Sequence, residues 1–381
     1  MSEKASELPA ARSAPELVAT VESVECGSPV EVSLAAPTAS LEDVSVSLKC
    51  VTDPSSSLEG EVVGNGVGIF SISVTPQVRG RHDLIVKVKD KEIAGSPFRV
   101  FVKLPPSQLG KSGSRLIGGL YKIWGMAFNN KQQLMVIETG ISLSGANQKK
   151  RVTIVERDGG KVGVIQCDKF QDPHAIAQSS DGSIFVADSG VSVNCLFKFG
   201  PEGQLLHCEH SLFEDFPPFE VAMIIIDDEI YILDGRKKLV RIFDTHCKAV
   251  GSIDVKECDM PTDIAQGPDG LYVTGYGIYV YECAPNGALI RQLEFALSSP
   301  NFYFRGIIFD PSCRIVASDA SNGVYVFTVC GECVGHVTSE AQDTDLDDGV
   351  PYVEEPGRLT IDTDGYVYVH SYRSSTRIFV L

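Results

Sequence analysis

At 381 residues the chain exceeds one ordinary core, and 43% apolar content with 35 Gly and 20 Pro scattered along it marks a folded, turn-rich protein rather than a disordered one. Its net charge of −17 divides into 10 basic against 14 acidic residues over 1–110 and 23 against 36 thereafter, which opposes bulk nucleic-acid binding unless a local basic patch overrides it. The longest aliphatic run, Val221 to Ile226, is far below a membrane span, the N-terminal twenty residues lack the apolar core of a secretory signal, and eleven dispersed Cys read as reduced thiols of a cytoplasmic protein.

Residues 1–14 read as a disordered tail. From 15 to 103, apolar residues alternate in short runs: Val30, Val32, Leu34; Val44, Val46, Leu48; Phe70, Ile72, Val74; Leu84, Val86, Val88; Phe98, Val100, Val102. Period two, broken by Gly, Pro, Asp and Ser, predicts an antiparallel sandwich with one wet face per sheet. The segment "GIFSISVTPQVRGRHDLIVKVKDKEIAGSPFRVFVK" (68–103) resembles the last strands of a filamin-type immunoglobulin repeat, through Pro76, Gly80 and the Ile93–Phe98 motif. Gly95 permits a tight turn there, and Pro97 predicts an edge strand.

Residues 104–112, "LPPSQLGKS", form a linker; its Gly-Lys-Ser lacks the earlier Gly of a phosphate loop, Pro105 standing there. From 113 to 381 a unit recurs with copies at 122, 172, 217, 260, 303 and 355, aligned on Ala127, Ala177, Ala222, Ala265, Ile308 and Thr360. A period of about 40 to 50 residues made of strands alone predicts propeller blades. The last copy stops one strand short, and "SRLIGGL" (114–120) is the expected supplier of the missing outer strand.

The copies resemble NHL repeats, with Pro, "gIA", Asp-Gly, a "V-x-D" end and "R-I-x-V-F" in the next strand, matched by Asp234 with Arg241-Ile242-Phe243 and by Arg377-Ile378-Phe379. Gly275 and Ser371 replace the Asp, Glu138 substitutes for it, and Ser312-Cys313 stand for Asp-Gly in the fifth copy. The expected fold class is therefore all-β: a filamin/immunoglobulin-like β-sandwich followed by a six-bladed NHL β-propeller. That order is similar to the carboxy-terminal part of the tripartite-motif NHL family, which implies recognition of a protein partner or ubiquitination substrate. The RING, B-box and coiled coil that carry ubiquitin-ligase activity in the family have no counterpart in this sequence. Family resemblance also admits structured RNA on the same propeller face, and, more remotely, a metal-dependent lyase.

Sites of chemistry are few. "CGEC" (330–333) falls on a hairpin and lacks a second pair. "HCEH" (207–210) puts Cys208 and His210 on one strand face, with His207 and Glu209 on the other, too few ligands for a metal. "DTDLDDGVPYVE" (343–354) approaches EF-hand spacing but places Gly349 one residue late, between strands. Neither metal nor cofactor is expected, and no catalytic set is visible. A lyase would need several His at the strand entries, and Trp124, His174, Phe219, Thr262, Arg305 and Gly357 offer one.

Binding remains. Strand entries and the loops between second and third strands should share one face, gathering Lys122, Lys149, Lys150, Arg151, Arg236, Lys237, Lys238, Arg305, Arg358 and Arg373 beside His174, with Trp124, Phe219 and Tyr372 as aromatic anchors. A protein partner is the first expectation for this face and structured RNA the second.

Overall fold

The computed structural model describes residues 14–18, 21, 23–51, 56–64, 66, 68–103, 105, 115–120, 122–139, 150–190, 194–210, 220–295, 302–338, 353, 355–371 and 378–380. It divides near Pro105 into two compact units. Among the described residues the only helical turn is the 3-10 segment Leu41–Asp43, so both units are built from strands.

In the first unit, period-two alternation buries one face of each strand. One sheet orders Glu16–Leu17, Val30–Ala35, Ile69–Val74 and Glu61–Gly64. The other orders Ser23–Glu25, Phe98–Lys103, Gly80–Val88, Val44–Cys50 and Ser57–Glu59, with Lys91–Glu92 folded back on Gly80–Val88. The alternating positions fill the core between them: Val30, Leu34, Leu48, Ile72 and Val86 are buried, with Val88 and Phe98 half-buried at its margin. Gly95 turns at φ +84°. Phe98–Lys103 differs from the expected edge strand: Ser23–Glu25 runs parallel along residues 101–103, so among the described residues only the half that follows Pro97 lacks a second neighbour.

Among the described residues, the second unit holds six four-stranded antiparallel sheets. Five are consecutive in sequence and begin with Ile123–Phe128, Pro173–Gln178, Val221–Ile226, Asp263–Gly267 and Phe304–Phe309. The sixth orders Pro356–Ile361, Val367–Ser371 and Ile378–Val380, and its fourth strand is Arg115–Ile117 from the opposite end of the unit, with Ile117 facing Ile378. Each first strand lies beside the first strand of the next sheet, and Pro356–Ile361 lies beside Ile123–Phe128, so the six inner strands close a circuit. Closure pairs the two ends of the unit and removes a free sheet edge at that point. Second strands such as Ile184–Ser189 are buried throughout, whereas fourth strands such as Leu205–His210 face solvent.

Register shows which positions are equivalent. Ala177 opposes Phe185, three residues before Asp188, and Ala127, Ala265, Ile308 and Thr360 take the same place opposite Met135, Tyr272, Val316 and Tyr368. In the third sheet the residue opposite Tyr231, three before Asp234, is Ile224 rather than Ala222. Aligning on alanine sets this copy two residues early, because the third sheet carries Ile at that level, and its entry position becomes Val221. Close approach of neighbouring sheets demands glycine at Gly125, where a Cβ would run into the His174 carbonyl oxygen.

Candidate binding rim

The start of each first strand pairs with the end of its second strand: Ile123 with Glu138, Pro173 with Asp188, Val221 with Asp234, Asp263 with Thr274, Phe304 with Asp319 and Pro356 with Ser371. Entry and following loop therefore lie at one end of every sheet, and contacts between sheets bring these ends onto one rim. The acid ending a second strand fixes this geometry. Asp188 accepts the backbone N–H groups of Gln171 (2.7 Å), Asp172 (2.8 Å) and Gly190 (2.9 Å), and Asp319 accepts that of Tyr303 (2.7 Å). Burial raises the Asp188 carboxyl above the usual range against the pull of those three donors. Where Gly275 replaces the acid, hydroxyls substitute: Thr262 Oγ1 lies 3.1 Å from Thr274 Oγ1 and donates to the Phe304 carbonyl at 2.6 Å.

Arg358, buried, reaches across the rim. Its Nη1 lies 2.7 Å from Asp263 Oδ1 and donates to the Thr262 carbonyl at 2.7 Å, while Nη2 donates to the Val221 carbonyl at 2.9 Å and lies 3.4 Å from Glu220 Oε2. One side chain of the sixth sheet thus ties the third and fourth. Glu220 also faces Arg305 Nη1 at 3.6 Å. Burial raises the Asp263 carboxyl, opposed by the Arg358 charge and the N–H of Ile307.

His174 sits edge-on to Trp124, ring centroids 4.6 Å apart, and its Nδ1 is 2.6 Å from Ser189 Oγ. Burial pushes this imidazole down to about 4, with Asp172 opposing and Arg358 and Lys122 adding to the shift. The ring is neutral near pH 7, so the Asp172 carboxylate 3.7 Å from Nε2 is not an ion-pair partner there. Ser189 is 1% exposed, so the contact orients the ring and does not present a nucleophile. Inside the rim the inner strands line an open pocket of about 390 Å³, where aliphatic residues such as Met126, Met223 and Ile307 stand beside His174, Asp263 and Arg358.

The remaining sequence-predicted residues separate into two groups. Arg151 Nε lies 2.9 Å from Glu138 Oε2, a carboxylate that also accepts the Thr153 hydroxyl, and Lys238 Nζ lies 2.9 Å from Asp259 Oδ1. With Arg305 and Arg358 these are cations held by acids of the same rim. Lys122, stacked over Trp124 at 4.8 Å, is exposed, as are Arg236 and Lys237 in the turn that Asp234 anchors through the Lys237 N–H; Lys150 is half-buried. Lys149, Phe219, Tyr372 and Arg373 lie outside the described residues, as does nearly all of 343–354.

Sequence reasoning missed an aromatic cluster here. Tyr276, 55% exposed in the tight turn after the fourth sheet's second strand, packs on Tyr303 with centroids 5.0 Å apart. Arg305 lies 4.9 Å over the Tyr303 ring, and Met260, 52% exposed, precedes the fourth entry. Tyr276 stands between Gly275 and Gly277 in a three-residue loop, so only the meeting of two sheets reveals it. Glu220 and Asp263 were missed for the same reason.

Comparison with known proteins bears on the fold. Residues 13–99 match the Filamin/ABP280 repeat, and the Lin-41 filamin domain is a structural neighbour of 19% identity over 25% of this chain and 96% of its own, with a TM-score of 0.22. A structural genomics protein of unknown function from Bacteroides thetaiotaomicron VPI-5482 shares 13% identity over 99% of this chain and 100% of its own, TM-score 0.54, a likeness of fold alone. YCF48 bound to D1 peptide covers 70% of this chain and 96% of its own at 12% identity and a TM-score of 0.46. No curated protein matches the chain.

Proposed function

We propose that the second unit is a six-bladed NHL-type β-propeller and that the chain is a non-catalytic recognition module of the tripartite-motif NHL kind, docking a protein partner, such as a ubiquitination substrate, on the rim of strand entries. A filamin repeat followed by six four-stranded sheets in a closed circuit supports the architecture. The observation that carries the ligand class is the rim's chemistry. Arg151, Lys238, Arg305 and Arg358 each lie against an acid, which lowers the net positive field a polyanion would need, while Tyr276 and Met260 are exposed and the half-buried Trp124 lies beneath the exposed Lys122.

The test compares proteins captured from matched cytoplasmic extract on the full wild-type chain, on Trp124→Ala/Tyr276→Ala, and on Val162→Asp, an exposed residue of the first sheet's fourth strand, Lys161–Gln166. Partners lost on the rim variant and kept on the fourth-strand variant support rim docking. Equal retention on all three, or equal loss on both variants, contradicts it.

A further inference from the structure

The fourth strand of the second sheet, Leu205–His210, alternates so that Cys208 and His210 share one face, while His207 and Glu209 meet on the other with Nε2 and Oε2 3.4 Å apart. Two ligands do not make a metal site. Register supplies a third: on the neighbouring strand Asn194–Phe199, Cys195 stands opposite His210, and Phe197 opposite Cys208. Residues opposite one another share a face, so Cys195 joins the pair. Cys195 Sγ lies 3.2 Å from His210 Nδ1, Cys208 Sγ lies 3.8 Å from His210 Nε2, and the three donor groups fall within 4.8 Å of one another.

We propose that Cys195, Cys208 and His210 form a three-ligand Zn²⁺ site with its fourth position open to solvent. Tetrahedral zinc, about 2.3 Å from sulfur and about 2.0 Å from nitrogen, holds its donors roughly 3.5 to 3.8 Å apart, and one nitrogen of the exposed His210 ring and the two sulfurs already lie within 4.8 Å of one another. Two thiolates and an imidazole favour zinc over the hard oxygen-seeking cations. Burial is graded: Cys195 is buried, Cys208 half-buried and His210 exposed, so the site has a floor in the core and a mouth at the surface. Among the described residues no fourth His, Cys, Asp or Glu joins the group, which is the pattern of a site that keeps one position for water or an incoming donor.

Two competing readings fit less well. A disulfide is the less favoured geometry because Cys195 and Cys208 are diagonal rather than opposed across the strand pair, and both are free thiols in this structure. Simple packing accounts for Cys195 among Phe170, Phe197 and Phe199, but not for an imidazole brought to two sulfurs on a solvent-facing strand. Zinc uptake breaks both S–H bonds, releases two protons to solvent and forms two Zn–S bonds, while neutral His210 gives a lone pair and nothing is oxidised. Burial raises the Cys195 thiol, so the metal must displace a firmly held proton there.

The test is titration of the reduced, metal-stripped full chain with Co²⁺, followed by Zn²⁺. The expected result is one Co²⁺ per chain with tetrahedral ligand-field bands and thiolate-to-cobalt charge transfer, all bleached by Zn²⁺. Cys208→Ser should abolish the charge transfer, and His210→Ala should weaken binding by more than the roughly 10- to 100-fold that loss of a mere outer-shell contact costs. Both side chains reach solvent, and thermal melting confirms that the variants fold. Cys330→Ser/Cys333→Ser should bind as wild type does. Absence of thiolate-to-cobalt absorption, its survival in Cys208→Ser, or its loss in the Cys330/Cys333 variant would overturn the proposal.

Discussion

Arg358 and Asp263 meet at 2.7 Å on the rim, one from the sixth sheet and the other from the fourth, and the same guanidinium reaches the Val221 carbonyl of the third. Removing one partner of a buried pair leaves the other charge uncompensated, a loss of about 3 to 5 kcal/mol. Arg358→Met should therefore destabilise the second unit by that amount in urea unfolding. Arg358→Lys should recover only part of it, because a single ammonium cannot serve Asp263, Thr262 and Val221 together.

Acid should weaken the fold through two histidines. His174 and His370 are pushed down to about 4, in each case first by burial, with the Arg358 charge contributing to both. The unfolded chain takes up these protons first, near pH 6.5. Their contribution is thus fully present above about pH 6.5 and is lost as pH falls through about 4, on the order of 3 kcal/mol each. Asp188 and Asp263, both raised, act with the opposite sign: their contribution is present below the unfolded carboxyl value and is lost as pH rises through the folded one. Stability measured from pH 7 to pH 4 should fall, and His174→Gln/His370→Gln should flatten that limb.

The closing strand should matter more than its length implies. Ile117 and Ile378 oppose each other and both are buried. Ile117→Ala should cost about 2 to 5 kcal/mol, and deletion of residues 113–120 should expose the edge of Ile378–Val380 and promote self-association, read by light scattering.

On the rim, Trp124→Ala and Tyr276→Ala should each weaken a protein partner by about 2 kcal/mol or more, while Arg236→Glu/Lys237→Glu should chiefly slow association and alter its salt dependence. Equilibrium and kinetic binding measurements at two ionic strengths separate these effects.

The parts of the fold legible in the sequence are those with a short period. Alternation located the sandwich core from Val30 to Val100, and the recurrence of strand, turn and acid located the sheets. What escaped depends on residues brought together across sheets. Ala222 looked equivalent to Ala177 because like residues were matched, whereas the strand pairing makes Ile224 the equivalent. Basic residues were visible as a group, but Glu220 and Asp263, which hold Arg305 and Arg358, gain meaning only when third, fourth, fifth and sixth sheets meet. Cys195 stands apart from the His-Cys-Glu-His run and joins it only through antiparallel register.

The central claim, a protein partner on the rim, is tested most directly by capture on the full chain from extract divided into nuclease-treated and untreated halves, each washed at low and high salt. The account predicts the same rim-dependent proteins in both halves, with only a gentle decline at high salt. Loss of all captured material after nuclease, with steep salt sensitivity, would contradict it and identify structured RNA as the ligand.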